Sequence, residues 1–299
     1  MKKIVLAAVL TVICFAVDAQ QLGNYSQFFL NNYVINPAAA GTEGHFNVKS
    51  SYRYQWVGID DAPRTFVLSM EGPFSKKQNM GLGGYVYSDI TGPTRRTGIK
   101  LSYAYNFKIT DDIKLSLGLS GGIMQFSVDG SDMELADVND EALGNTLTTA
   151  YTPDAAFGLY LFDDNWYFSL SIPQLIGTEM KFVDNHTNSL NKLQNHYYAN
   201  AGYTFNLNDH WGVEPFVQLK YVPPINPQFD GGFRVIYDKD MWVGGTWRSE
   251  DGFSVFAGLN FLENFTFSYS YDVITSDVKN VSSGSHEILL GLRFHKPNQ

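Results

Sequence analysis

Over most of its length the chain alternates apolar and polar residues one by one. Phe265, Phe267, Tyr269, Tyr271 and Val273 fall on one side, and Thr266, Ser268, Ser270 and Asp272 on the other. Ile99, Leu101, Tyr103, Tyr105 and Phe107 oppose Lys100, Ser102, Ala104, Asn106 and Lys108. Near the end Ile288, Leu290, Leu292 and Phe294 oppose Leu289, Gly291 and Arg293. A period of two places successive side chains on opposite faces of a strand. Runs of roughly 9–11 residues suit a tilted strand crossing hydrocarbon, whereas strands of water-soluble domains have a mode near five or six. The pattern predicts strands at about 44–54, 62–74, 79–89, 94–109, 113–127, 152–162, 165–173, 195–207, 211–222, 226–238, 240–249, 252–262, 264–275 and 285–296. These are fourteen, an even number, as an up-and-down antiparallel barrel with both termini at one end requires. Closure also removes sheet edges, which lipid does not tolerate.

The connections between these strands fall into two classes. One set is very short and rich in Asp and Asn, as tight turns prefer: 75–78, 110–112, 163–164, 208–210, 238–240 and 263–264. The alternate set is longer or richer in turn breakers: 55–61, 90–93, 128–151, 174–194, 223–225 and 276–284, with 250–251 its one short member. Outer-membrane barrels keep short turns in the periplasm and long loops outside. Both termini are therefore expected on the periplasmic side, and the turn around Trp56 outside.

What precedes the first strand is different. Lys2 and Lys3 followed by the apolar run Ile4–Val17 and Val17-Asp18-Ala19 read as an export signal over residues 1–19, too short to span a bilayer as a helix. The lone Cys14 lies in it, so the exported chain has no thiol and no disulfide. Residues 20–43 follow neither period. They are rich in Asn and aromatics, carry no charge before Glu43, and end in Asn36-Pro37-Ala38-Ala39-Ala40-Gly41. The three parts are thus a signal at 1–19, an irregular leader at 20–43 and a barrel at 44–299.

Composition changes this picture little. Aromatic residues make up 15% of the chain, and the mean hydropathy is slightly negative, compatible with a wall that is apolar only at every second position. A water-soluble sandwich also alternates, but it turns its aromatics inward. Loss of Lys2, Lys3 and Asp18 takes the net charge from −9 to −10, which argues against nucleic acid as a partner.

The six histidines, at 45, 186, 196, 210, 286 and 295, never stand at metal-ligand spacing. Asp129, Asp132, Asp137, Asp140 and Glu141 do not follow a calcium-loop pattern and read as a solvated acidic loop. With neither a nucleophile elbow nor a phosphate-binding glycine loop, the reading is a non-enzyme without cofactor or metal. Gly81, Gly83, Gly84, Gly121, Gly122, Gly244 and Gly245 fall inside strands, where glycine permits bends and close packing. Trp166, Trp211, Trp242 and Trp247 are expected in the interfacial aromatic belts. Lys100, Lys108, Glu214, Lys220, Arg234, Asp272 and Arg293 are expected to face the lumen, either as mutually paired charges or as a polar track.

One stretch carries more specific information. Ser26-Gln27-Phe28, Asn36-Pro37, Ala40-Gly41, Arg53-x-Gln55-Trp56-x-Gly58 and Ala62-Pro63-x-Thr65 occur in that order within about a sixth of the chain. In sequence and spacing this resembles the PorP/SprF family of type IX secretion outer-membrane proteins. The resemblance implies a role in the secretion and gliding system of Bacteroidota-type bacteria. Such a protein acts with other secretion components and receives or retains the C-terminal domain of a large secreted adhesin at the outer membrane, with lipid around its wall. The second reading is a channel for small or hydrophobic solutes, since fatty-acid channels with an N-terminal hatch are similar in strand number.

Gln27, Phe28, Asn36, Pro37, Arg53, Gln55, Trp56, Gly58, Pro63 and Arg64 are accordingly the candidate plug or partner-binding residues. Two roles stand open for the Trp56 turn. Arg53 and Arg64 pair with Asp60 or Asp61 in one, and the turn is a protein contact in the other. The leader is expected to enter from the periplasmic end and fill the lumen, its Asn and Gln hydrogen-bonding lumen charges while its aromatics fill volume.

Overall fold

A computed structural model describes residues 23–74, 79–130, 147–176, 194–249, 251–262 and 264–294. The export signal, most of the acidic 128–151 loop and most of the 174–194 loop lie outside the described residues. The wall is all-β. In chain order the strands are β1 Phe46–Tyr54, β2 Arg64–Pro73, β3 Met80–Thr91, β4 Thr94–Lys108, β5 Lys114–Asp129, β6 Leu147–Phe162, β7 Trp166–Ile172, β8 Tyr197–Tyr203, β9 Phe205–Asn206, β10 Trp211–Tyr221, β11 Gln228–Tyr237, β12 Met241–Arg248, β13 Gly252–Phe261, β14 Phe265–Ile274 and β15 Ser285–Phe294. Each pairs antiparallel with its neighbours, and β1 pairs with β15 from Phe46↔Phe294 to Tyr54↔His286, closing a ring of fourteen. The two-residue β9 stands outside that ring, pairing only with β10.

Polarity is inverted relative to a water-soluble protein. Phe265, Phe267, Tyr269 and Val273 are exposed on the outer face, while Ser268, Ser270 and Asp272 are buried on the inner one. The same holds for β4, where Ile99, Leu101 and Tyr103 face out and Lys100, Ser102 and Ala104 face in. Every backbone group inside hydrocarbon must find a protein partner, and only a closed ladder supplies one for each strand. Among the described residues no helix is long and apolar enough to cross a membrane.

The wall is uneven in height. β4, β5 and β6 run 15, 16 and 16 residues, whereas β7 has 7. At ~3.3 Å per residue β5 and β6 are some 30 Å longer along the strand than β7. At a barrel tilt of ~35–45° the tall side stands roughly 20–25 Å higher, beyond what hydrocarbon requires. The extra height lies at the long-loop end. β6 therefore begins at residue 147, upstream of the predicted 152, because pairing with β5 continues to Asp129↔Leu147 after the apolar alternation has ended.

One tryptophan departs from expectation. Trp211 and Trp247 are on the outer surface, but Trp242 is 6% exposed and lies inside the barrel. It shares the inward parity of Gly244 and Thr246, while Met241, Val243 and Trp247 face out. Parity decides its side, and nearness to a strand end does not.

Candidate functional site: the leader inside the lumen

The leader occupies the lumen, and its charge-free composition explains how. It folds as three short turns, a 3-10 turn Phe28–Leu30, a helical turn Asn32–Ile35 and a 3-10 turn Pro37–Ala39. Asn36 caps the last of these, its Oδ1 accepting from Ala38 N–H at 2.9 Å, and Pro37 follows at the first position, where a missing N–H costs nothing. The segment runs opposite to the expected direction. Gly23 lies against Thr65, Asn24 accepts from Lys220 and Tyr25 O accepts from Arg248, all at the long-loop ends of their strands. Gly41 lies against Gly72 and Gly81 at the short-turn end, just before β1 begins. The described chain thus enters the lumen at the long-loop mouth and leaves at the other end. The C-terminal strand ends at the short-turn end as expected.

Three kinds of contact hold it. The first is ionic and involves Ser26 and Gln27. Arg53, projecting inward from β1, sits 2.6 Å from Asp272 and 3.5 Å from Glu287. Ser26 N–H donates to Glu287 Oε2 at 2.7 Å and its hydroxyl donates to Asp272 Oδ2 at 2.8 Å. Gln27 N–H donates to Glu287 Oε1 and its Nε2 to the Glu287 main-chain carbonyl, and Ser268 Oγ donates to Gln27 Oε1. Ser26, Gln27, Arg53 and Glu287 are each no more than 1% exposed. Beside them Asp230 receives Lys220 at 3.0 Å and Arg248 at 3.1 Å.

The second is aromatic. Phe29 stacks on Phe216 at 4.4 Å between centroids and leans on Phe256 at 4.8 Å, with the Arg234 guanidinium 5.4 Å above its ring. Phe28 meets Phe216 edge-on at 5.5 Å. Pairs of this geometry add ~0.5–1.5 kcal/mol beyond the area they bury.

The third is close packing on glycine. A Cβ on Gly118 would stand 2.3 Å from Ala38 N, one on Gly158 1.7 Å from Asn36 Oδ1, and one on Gly81 1.9 Å from Ala40 O. Only glycine lets the leader backbone lie directly on the wall there. Asn36 Nδ2 then reaches Leu159 O at 2.9 Å and Ser169 Oγ at 2.8 Å, and Gly41 N–H donates to Glu71 at 2.7 Å.

The motif residues therefore part into two groups. Gln27, Phe28, Asn36, Pro37 and Arg53 meet in the lumen. Gln55, Trp56, Gly58 and Pro63 form a collar at the long-loop mouth instead. Gln55 N–H donates to Pro63 O, Trp56 N–H to Ser285 Oγ and Val57 N–H to Gly284 O, tying this turn to the 275–284 loop. Trp56 and Gly58 have positive φ, of 51° and 102°. Pairing of Arg53 and Arg64 with Asp60 or Asp61 is not what the turn does. Arg53 points inward to Asp272 and Glu287, and Arg64 lies over the Tyr54 ring at 5.1 Å.

The lumen charges are largely paired among themselves: Lys100 with Asp154 at 2.7 Å, Arg234 with Glu214 at 2.7 Å, and the two clusters above. Lys108, in contrast, is exposed at the short-turn end. Glu287, Asp230, Arg248, Asp154 and Glu71 had not been singled out, although each sits at an inward position of an alternating strand. Among the described residues no group of His, Asp or Glu is arranged to hold a metal.

Between the leader and the wall a cavity of about 40 Å³ remains, lined by Tyr25, Val34, Ile35, Tyr85, Tyr87 and Met124 among others. A water needs ~10–15 Å³ of such space, and a cavity that accepts benzene measures ~150 Å³. This cavity has room for water and is smaller than one that accepts benzene.

A closed fourteen-stranded barrel, apolar outside, with its lumen filled by its own N-terminal segment, is an outer-membrane protein of the plugged kind. The family model described as type IX secretion system membrane protein PorP/SprF matches residues 17–292, and the chain belongs to that family. No curated protein matches it in sequence. Among solved structures it is similar to the CymD monoaromatic hydrocarbon channel, at 9% identity over 93% of this chain and 95% of that one, TM-score 0.53. It is also similar to the P. putida toluene transporter TodX, at 9% identity over 89% and 94%, TM-score 0.52. At that identity the likeness is one of fold.

Proposed function

We propose that this barrel is a binding and anchoring component of the type IX system, without catalytic activity. It receives or retains the C-terminal domain of a large secreted adhesin, alongside other secretion components, at a long-loop end that faces outside. The observation that carries the reading is the filled lumen. Residues 23–43 pass through its whole length, with Phe28, Ile35, Ala38 and Ala40 at most 4% exposed. A lumen packed in this way leaves little room for a hydrophobic solute, which supports anchoring over transport. The hydrogen-bonded collar of the Trp56 turn and the 275–284 loop, standing at the same mouth, offers a surface to a protein.

Two measurements test this. In planar bilayers the intact protein is expected to show almost no open-channel current; large, stable conductance would overturn the reading. A mild-detergent pull-down from the native organism, analysed by mass spectrometry, is expected to contain a large secreted protein with its C-terminal domain and other secretion components. Their absence, together with solute-dependent growth that requires this protein, would favour the channel. Orientation is checked by epitopes on intact cells: one at Asp60 is expected to be reachable and one at Asp111 or Lys239 not.

A further inference from the structure

The site that holds Ser26 and Gln27 straddles the line where the barrel closes. Arg53 belongs to β1 and Glu287 to β15, the first and last strands of the wall, and the two are direct partners in the register of that pair. Asp272, from β14, completes the set. In a sheet whose first and last strands are apart, Arg53 is separated from both carboxylates, and the leader has no complete site. Once they pair, one cation faces two carboxylates in a buried place. Arg53 lies 3.5 Å from Glu287, a long contact for a charge with 1% exposure. The leader adds donors to those of the wall, where Ser51 donates to Glu287 and Ser254 to Asp272. The successive N–H groups of Ser26 and Gln27 reach the Glu287 carboxylate, the Ser26 hydroxyl reaches Asp272, and the Gln27 amide binds the Glu287 main-chain carbonyl. Donors already ordered in the leader satisfy these carboxylates more fully than the wall alone does, so the closed seam is more favourable with the leader bound than with it absent.

We propose that the leader is an intramolecular closure ligand. The first–last strand seam forms a binding site for an uncharged peptide presenting Ser26-Gln27, and occupancy of that site and pairing of β1 with β15 are one linked equilibrium. A ligand that binds only one state stabilises that state, whether or not it is covalently attached. The leader here counters the entropy of joining strands some 240 residues apart, a cost that grows with the logarithm of the loop. The charge-free stretch before Glu43 then has a direct reason: an added carboxylate would meet Glu287 and Asp272, and an added cation would compete with Arg53. None of this depends on which protein is bound outside.

The test uses the full chain in a Cys14→Ser background, refolded into detergent micelles and read as the compact, heat-modifiable band on a gel. Deleting residues 23–41 is expected to reduce the compact fraction at least tenfold. A synthetic peptide of residues 23–41 added during refolding is expected to restore it, and the same peptide with Ser26→Asp and Gln27→Ala is not. A second arm joins the seam covalently through Ser50→Cys and Leu290→Cys, which are register partners on β1 and β15. The oxidised staple is expected to return the deletion variant to the compact form, and reduction to remove it. A deletion variant that closes as well as the parent would overturn the proposal. So would one rescued by neither peptide nor staple, since the leader would then be needed to fill volume rather than to close the seam.

Discussion

The two ends of the leader are held by different physics. At the long-loop end, Asn24 to Gln27 are gripped by long side chains that reach inward from the wall, chiefly Lys220, Arg248, Arg53, Asp272 and Glu287. At the short-turn end, Asn36 to Gly41 lie on bare backbone, over Gly158, Gly118 and Gly81. The first arrangement is a set of charge-assisted bonds, specific in partner and tolerant in distance, because Arg and Lys stems can adjust. The second is intolerant in distance and needs no special chemistry from the wall beyond the absence of a side chain. The difference says which contact fixes where the leader sits and which fixes what it is. Glycine seats set its depth in the lumen, and the ionic cluster reads the Ser-Gln sequence.

Breaking the glycine end should have the largest effect. Gly118→Val would place Cβ 2.3 Å from Ala38 N and 2.5 Å from its Cα, and neither atom can turn away as a side-chain tip can. Overpacking of this kind costs ~1–3 kcal/mol where side chains relax. Here two backbones are opposed, and a loss above that range is expected, read as a fall in the urea midpoint of unfolding in micelles. Gly121→Val, on the same strand but with open space around its Cβ, is the control and should be near neutral. Equal losses for both would mean that β-propensity or strand packing, rather than seating of the leader, is being measured.

At the ionic end the smaller change Ser26→Ala keeps the backbone N–H that binds Glu287 and removes only the hydroxyl, which donates to Asp272 and accepts from Arg53. Hydrogen bonds to charged groups are worth ~1.5–3 kcal/mol each, and the two charges still face each other without it, so a loss of about 2 kcal/mol is expected. Ser26→Thr should recover most of it. If Ser26→Ala were as damaging as Gly118→Val, the contrast between adjustable and rigid ends would not hold.

Much of the wall was legible because the signal is local. Alternation, turn chemistry and loop length are properties of neighbouring residues, and the fourteen predicted strands coincide with the ring. β6 was read short at its start because Thr148 and Thr149 stand above the hydrocarbon, where nothing selects an apolar outer face. The leader's presence in the lumen was readable from its composition, but its direction was not, since the contacts that set it join residues up to 261 apart in sequence. Trp242 was misplaced by a rule about position along a strand when parity already put it inside. Gly118 and Gly158 were unread for the opposite reason: a glycine in a strand says that something comes close, without saying what. Arg53 was weighed only against acids within its own turn, and the acids it binds lie on the last two strands.

The smallest expected effect is also at the long-loop end, where His196 borders the same small space as Asn24 and Lys220. It is 3% exposed, its Nδ1 is 3.0 Å from Gln194 O, and its ring meets Tyr198 edge-on at 6.4 Å. Burial lowers its pKa from 6.5 to about 4, with Arg96 and Lys100 adding repulsion. The folded protein thus keeps this imidazole neutral through a range where the unfolded chain takes up a proton. Stability from this group is fully present above pH 6.5 and is lost progressively as pH falls towards 4. Between pH 7.5 and 5.5 the loss should be about 1 kcal/mol, from ~1.36 kcal/mol per pH unit below the unfolded value. Carboxylates elsewhere titrate in the same range, so the quantity to read is the difference between the parent and His196→Gln. The variant should lose less stability over that interval, and Ser26→Ala should leave the His196 contribution unchanged if the two sites add independently. An identical pH slope for the parent and His196→Gln would show that the imidazole is not held neutral. The long-loop end would then be governed by its ionic clusters alone.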